Sequence, residues 1–455
     1  MNASTASPFA VLGPQFALVA GILCALMAGM SGRVTPIFYR FLAICVLLSA
    51  AAFACMTLPG SYGPLVRVDG LSLSWQFLFY VGAIPYALSL TEDEVPSALV
   101  LGSVLGASLL ACSGSLLMLF IGLELMSLPA YLLVARGEAE NSAEAAVKYF
   151  FAGGTAGALY LMGMSLYYAG TGSLSLAPSA GGMAEAGVAL MGTAALFKVG
   201  AVPLHFWLPD AYEAAAPELA GFMSTSIKAA GFLLLMRLVA LTPLSAFARS
   251  LPSLGALTAL VGAVTALRQE RLQRLLAYSS ISHAGLLILG VGAWAAQGAL
   301  PGGAGAIFFY LAAYVFMSNG SFAFLRVSGI TTRTQLRGYG ATQPVKAALF
   351  SALLLALAGI PPTAGFLAKF LIFWEAVKAG LYVPAAGCGL AALVGLGYYL
   401  GLVSDMFFVE AGASEAAPPV IAKAGASVVW ACAVPAAVLG LAPWLIGGLA
   451  GWLGQ

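Results

Sequence analysis

The sequence predicts an all-α polytopic membrane protein, and three observations carry that reading. Lys and Arg (19) with Asp and Glu (17) make up only 8% of the 455 residues, against roughly 25% in a soluble domain. Hydrophobic residues reach 61%, with a mean hydropathy of +0.98. The apolar residues also fall into runs of about 20, the length of a helix that crosses a bilayer. A soluble globule could not hide so much apolar surface.

Other classes fall with the same arithmetic. A formal charge of +2 offers no basic face for nucleic acid, and disorder needs a far less hydrophobic chain. Cys24, Cys45, Cys55, Cys112, Cys388 and Cys432 stand singly in apolar stretches, without a C-x-x-C pair, and read as small buried hydrophobes. Only His205 and His283 could add imidazole, so no metal or iron–sulfur centre is expected. The segment MNASTASPFAVLGPQF has no basic n-region and reads as leading into a helix, not as a cleaved signal peptide.

Charges and Gly/Pro/Ser breaks delimit the spans in order. They fall near 10–30, 39–58, 71–91, 96–112, 116–135, 145–169 and 184–206. The rest fall near 217–241, 252–268, 274–296, 304–326, 345–374, 380–408 and 421–450, about fourteen in all. Ser97–Ala135 holds one charge, Glu124, and is long enough for two spans, with the break at Cys112–Ser115.

Basic residues orient the bundle. Loops after odd spans carry Arg33, Arg40, Arg136, Arg268, Arg271, Arg274, Arg326, Arg333, Arg337, Lys346 and Lys423. Those after even spans carry Arg67, Arg237, Arg249 and Lys378. The odd loops therefore read as cytoplasmic, with both termini outside a bacterial inner membrane. Lys148, Lys198, Lys228 and Lys369 fall inside spans.

Two segments share one grammar: ALFKVGAVPLHFWLP (195–209) and LALAGIPPTAGFLAKF (355–370) each interrupt an apolar run with Gly and Pro and carry one lysine. Pro203, Pro361 and Pro362 should break their helices in mid-membrane. Such breaks survive only where protein or a wet cavity satisfies the freed backbone, and paired breaks point to an ion path. The breaks fall in spans 7 and 12. This predicts two inverted five-helix repeats, helices 4–8 (96–241) and 9–13 (252–410), between helices 1–3 (1–95) and a last helix (421–455). Two unrelated proline kinks are the plainer alternative. The lysines are not equivalent, since Lys198 precedes Pro203 by five residues and Lys369 follows Pro361 by eight.

Glu124, in IGLELMSLPAYLLVA, has apolar residues on both sides, so it needs a cation nearby or a proton. Lys198 and Lys228 are similarly placed, and a Glu–Lys pair of adjustable separation can load or release a proton. Snorkelling to the interface suits Lys148, less so Lys198, Lys228 and Lys369. His205 and His283 can relay protons or serve as hydrogen-bonded structural residues. Asp210 and Glu213, in HFWLPDAYE, suit either a funnel or a solvated loop, the loop being the simpler reading.

The stretch FKVGAVPLHFWLPDAYEAAAPELAGFMSTSIKAAGFLLLMRL closely resembles the proton-translocating antiporter-like subunits of respiratory complex I. So do LRQERLQRLLAYSSISHAGLLILG and LAGIPPTAGFLAKF. KYFFAGGTAGALYLMGMSLYYAGTGSL, with lysine at 369, is most similar to the N-subunit family. The resemblance runs from about span 4 to span 13. It implies fourteen helices with two inverted repeats, and a proton path through Glu124, Lys198, Lys228, His283 and Lys369. Glu144, Lys148, His205 and Asp210 match with weaker claims. Gln273 stands where relatives often carry lysine, which puts a basic loop contact in doubt.

The resemblance also implies a translocase subunit of NADH:quinone oxidoreductase that binds no cofactor itself. FMN, iron–sulfur clusters and quinone would belong to other subunits. Implied partners are the antiporter-like M and L subunits, the small K and J subunits, and membrane lipids. The alternative is a subunit of a multisubunit Na+/H+ (Mrp-type) antiporter. A scaffold bundle that conducts nothing would not keep four lysines and a glutamate at membrane depth.

Overall fold

The computed structural model describes residues 8–31, 34–90, 94–137, 139–179, 181–299, 301–410 and 426–442. The topology markers Arg33 and Lys423, both termini and the edges of the last predicted span lie outside the described residues.

The chain begins with α1 (Pro8–Met30) and α2 (Pro36–Met56), followed by an antiparallel hairpin, β1 (Gly60–Tyr62) and β2 (Val66–Val68). Next come α3 (Gly70–Ser89), α4 (Glu94–Ala111), α5 (Leu116–Ala135), α6 (Ser142–Thr171) and α7 (Gly182–Val199). After α8 (Trp207–Ala214) and α9 (Pro217–Phe222), a π-helical turn, Met223–Ile227, leads into α10 (Lys228–Val239). Then follow α11 (Ala246–Ala266), α12 (Leu272–Ala296), α13 (Pro301–Ser328), a 3-10 turn (Thr334–Leu336) and the short α14 (Tyr339–Thr342). The last elements are α15 (Pro344–Ala358), α16 (Ala364–Lys378), α17 (Tyr382–Phe408) and α18 (Ala426–Leu441).

Among the described residues, ten helical stretches are long and apolar enough to cross a membrane. Helix is the natural outcome, because hydrocarbon leaves backbone groups no partner outside the segment. Local signals set the ends. Ser115 caps α5 through the Met118 N–H (3.3 Å), as Thr363 caps α16 through Phe366 (3.4 Å). Proline opens α2, α9 and α15, where its missing N–H removes nothing.

The predicted breaks appear at Cys112–Ser115, after Val199 and after Ala358. Four features differ from the sequence reading. The hairpin and the π-helical turn were not expected, and Asp210 and Glu213 stand on α8 instead of a loop. Arg40, Arg237, Arg249, Arg274, Arg326, Lys346 and Lys378, assigned to loops, lie in helices. Hydropathy marks the apolar part of a helix, whereas its hydrogen bonds continue into the headgroup region.

The described residues form two compact units. The first runs to Val199 and resumes over Ser226–Arg249; the second takes Gly200–Thr225 and continues from Ser250. Within the first unit, α4 and α5 meet through small residues: a Cβ on Gly122 would lie 2.6 Å from the Leu110 nitrogen, the close approach typical of membrane helices. A buried polar cluster joins α1, α3 and α4, where the Gln15 amide donates to Ser108 (2.7 Å) and the Tyr80 hydroxyl meets Ser108 (2.7 Å) and Gln76 (3.1 Å). In the second unit α12 is buried almost all round. Its opening turn is tied to α8, with Arg274 bridging Asp210 (2.9 Å) and Glu213 (2.7 Å), and Arg271 adding Glu213 (2.8 Å).

One ion pair in the first unit joins α10 to the start of α3. Arg237 binds both Asp69 carboxylate oxygens at 2.8 Å, while Asp69 caps α3 through the Ser72 N–H at 2.8 Å. Burial alone would lift the Asp69 pKa, but the Arg237 charge and these hydrogen bonds outweigh it and hold the carboxyl below its usual value. A lowered folded-state pKa means that the stabilisation is complete above the unfolded value, about 4, and disappears as pH falls through the folded value. Asp69→Asn should therefore lower the thermal stability of the solubilised protein by roughly 1.5–3 kcal/mol at pH 7. Below the folded-state pKa the wild-type and variant melting temperatures should converge, and a difference that persists there would contradict this account.

Candidate functional site

In the first unit, α7 ends where Gly200 adopts a left-handed conformation (φ 80°), which a side chain would resist. Lys198 stands in the last turn, 3% exposed. Its Nζ lies 3.4 Å from the Tyr149 hydroxyl, and 5.2 and 5.1 Å from the ring centroids of Tyr131 and Tyr149. The rings meet edge to face at 4.4 Å. Ring faces of this kind stabilise a cation where water is scarce. Glu124 of α5 is half-buried and shares with Lys198 a cavity of about 10 Å³, closed by Ser127, Tyr131, Gly153 and Gly157. That is room for a single water. A Cβ on Gly157 would come 2.8 Å from Glu124 Oε1, so glycine is what admits the carboxylate against α6.

Lys228 is 1% exposed and begins α10 directly after the π-helical turn, a distortion common at functional sites. Gly231 follows three residues later, on the same helix face. A Cβ there would meet Lys198 Cβ at 3.4 Å and a Val199 methyl at 2.9 Å. The Lys228 face of α10 thus packs tightly on the turn of α7 that carries Lys198.

In the second unit, α12 supplies His283, 4% exposed. Its Nδ1 meets the Tyr310 hydroxyl at 2.6 Å and its Nε2 the Tyr399 hydroxyl at 3.2 Å. Tyr399 is also hydrogen-bonded to Ser279. A hydroxyl both donates and accepts, so either imidazole tautomer is satisfied without ring rotation.

Lys369 occupies the second turn of α16. Its Nζ donates to the Leu357 and Ala358 carbonyls, both at 2.8 Å. These are the carbonyls freed where α15 stops. Gly359 (φ 83°) turns the chain so that its N–H reaches Leu355 and Ala356 and that of Ile360 reaches Leu355; Pro361 and Pro362 then offer no donors. The ammonium group completes the helix end. Lys369 and His283 line a second cavity of about 10 Å³ with Ser282, Gly395, Tyr398 and Tyr399.

The secondary candidates lie elsewhere. Glu144 and Lys148 form an exposed i,i+4 pair at 2.8 Å on α6. Asp210 and Glu213 are not a solvated loop but half-buried partners of Arg274 on α12. Gln273, where a basic contact was in doubt, donates to the Tyr212 (2.6 Å) and Ala215 (2.7 Å) carbonyls at the end of α8. His205 lies in the break between α7 and α8; its buried Nδ1 has no hydrogen-bond partner among the described residues. The sequence reading missed Tyr131, Tyr149, Tyr310 and Tyr399. Their signal was a phenol in an apolar run, whose hydroxyl must find a partner when buried. It also missed the Ser224–Ser318 contact (2.7 Å) and the Asn319 amide donating to Thr225 (3.2 Å) beside the π-helical turn.

Residues 113–394 match the family described as NADH:quinone oxidoreductase/Mrp antiporter, TM. NADH-quinone oxidoreductase subunit N of Mycobacterium tuberculosis is 39% identical over 383 residues, which cover 78% of this chain and 70% of that protein. Among solved structures, a chain of respiratory complex I from Thermus thermophilus with bound aureothin superposes with a TM-score of 0.85 at 33% identity, covering 95% of this chain and 98% of its own. A chain of the Mrp complex from Dietzia sp. DQ12-45-1b reaches 0.86 at 21% identity, covering 98% and 96%, a likeness of fold alone. The chain belongs to the NADH:quinone oxidoreductase/Mrp antiporter transmembrane family, within its group of NADH-quinone oxidoreductase N subunits.

Proposed function

We propose that the chain moves protons across a bacterial inner membrane as a non-redox subunit of an NADH:quinone oxidoreductase, driven by electron transfer in other subunits. One observation carries the reading: each lysine at a helix break shares a small cavity with a second ionisable side chain. Lys198 stands two residues before the break after α7 and shares its cavity with Glu124; Lys369 bonds the carbonyls at the break after α15 and shares its cavity with His283. Ionisable groups are too costly at membrane depth to persist without use.

The chemistry follows from what holds each proton. When Glu124 is close, Lys198 has a counter-charge in addition to its two tyrosine rings. When Glu124 withdraws, rings and a phenol alone hold the cation less well, and the proton affinity of the site falls. Lys228, on the helix face packed against the Lys198 turn, responds to that change. His283 passes a proton between hydroxyls without turning its ring. Lys369 then releases it outward. Loss of the charge weakens its grip on the Leu357 and Ala358 carbonyls, so release and movement of the helix end are coupled.

In this reading the chain has fourteen spans, with inverted repeats over 96–241 and 252–410, supported by the matched breaks. The M, L, K and J subunits are its neighbours, and FMN, iron–sulfur clusters and quinone reside elsewhere in the complex. The odd-numbered loops face the cytoplasm and both termini the periplasm. An Mrp-type antiporter subunit is the second reading, favoured by the shared fold but opposed by the higher identity to N subunits. An affinity-tagged chain should co-purify with flavin and iron–sulfur subunits; recovery with small membrane proteins alone would favour the antiporter.

Glu124→Gln and Lys228→Ala should each reduce NADH-driven acidification of inverted vesicles by roughly tenfold, the effect of about 1.4 kcal/mol on a rate. Undiminished acidification in either variant would refute the proton path. Lys369→Met should also stop pumping and, by leaving two buried carbonyls without a donor, destabilise the protein by roughly 1–3 kcal/mol. Lys369→Arg should recover most of that stability, measured as thermal loss of the chain from the solubilised complex.

A further inference from the structure

Beyond the charged path, the second unit contains a larger cavity of about 260 Å³ between α13, α15 and α18. Phe324 and Val327 of α13, Leu349 of α15 and Trp430 of α18 give it an apolar lining, to which Gln343 and Lys346 add polar side chains. Among the described residues, no carboxylate lines it and Lys346 makes no ion pair. The lining residues lie near the end of α13, which stops at Ser328, and near the starts of α15 at Pro344 and α18 at Ala426. At 1.5 Å per residue, each is within about 8 Å of a helix end. Helix ends of a membrane protein meet the headgroup region, where a half-exposed tryptophan such as Trp430 is at home.

We propose that this cavity binds an anionic phospholipid, with Lys346 and the Gln343 amide holding the phosphodiester and the apolar walls holding the first part of one acyl chain. Three observations converge on that occupant. Among the described residues the lining has one positive charge, Lys346, and no negative one, which complements a phosphate. The rest of the described lining is largely apolar, with Phe324, Val327, Leu349 and Trp430, which complements an acyl chain. The volume is below the roughly 300–1,000 Å³ of an enclosed small-molecule site, so it suits a headgroup and one chain segment whose remainder stays in the membrane. One basic side chain at an anionic surface gives about a fivefold preference.

The test uses the assembled membrane complex in nanodiscs doped with phosphatidylglycerol or phosphatidylcholine, each with a diazirine high on one acyl chain. After illumination, labelled peptides are identified by mass spectrometry. Peptides containing Phe324, Val327 and Trp430 should be labelled about fivefold more by the phosphatidylglycerol probe. Lys346→Gln should erase that preference and leave labelling of the exposed α2 residues Phe41 and Leu48 unchanged. Equal labelling by both probes in the wild type would overturn recognition of the anionic headgroup. Absence of labelling by either would mean that protein covers the cavity, and would overturn the lipid site altogether.

Discussion

A hydrocarbon solvent forms no hydrogen bonds, so each polar group this chain buries has to be answered from within. The helix breaks make that demand acute. After α15, two carbonyls are left where glycine turns the chain and two prolines supply no donor, and Lys369 answers both. After α7, the Val202 N–H finds the Thr258 hydroxyl at 3.2 Å. At the end of α8, the Gln273 amide answers two more carbonyls. The breaks are stable because specific side chains complete them, and those side chains are thereby fixed in position.

Lys198 and Lys369 meet the same constraint in different ways. Lys198 sits against two tyrosine rings and one phenol, with Glu124 on the same cavity. Ring faces favour a cation without demanding a particular geometry, so this lysine stays sensitive to where the carboxylate stands. Lys369 is held by two backbone carbonyls that cannot leave without moving a helix end. The first site is tuned by a side chain and the second by the backbone.

Much of this architecture was legible in the sequence because membrane solvent makes hydropathy and helix nearly the same signal. The breaks at 112–115, 200–206 and 359–363 were legible because Ser, Gly and Pro act locally. The π-helical turn was not, since MSTSI is ordinary helical sequence and its distortion belongs to tertiary packing. Nor was the Asp69–Arg237 pair, whose partners are 168 residues apart. The charged candidates could be named because charge is rare in this chain. The tyrosines that hold them could not, because an aromatic in an apolar run looks like core until its hydroxyl has a partner.

The identity of the cation separates two kinds of ion pair here. Asp69, Asp210, Glu213, Glu218 and Asp405 are matched by arginine. Guanidinium does not deprotonate in a protein, so these pairs tie elements together and can only be broken, not discharged. Glu124 shares its cavity with lysine instead, and an ammonium group can end the pairing by giving up its proton. An arginine at 198 would preserve the charge, yet its side chain could not be discharged by loss of a proton. The same holds at 369, where arginine could satisfy the carbonyls but could not release a proton. Arginine thus suits a tie that has to persist, whereas the lysines at 198 and 369 keep the chemical freedom to give up a proton.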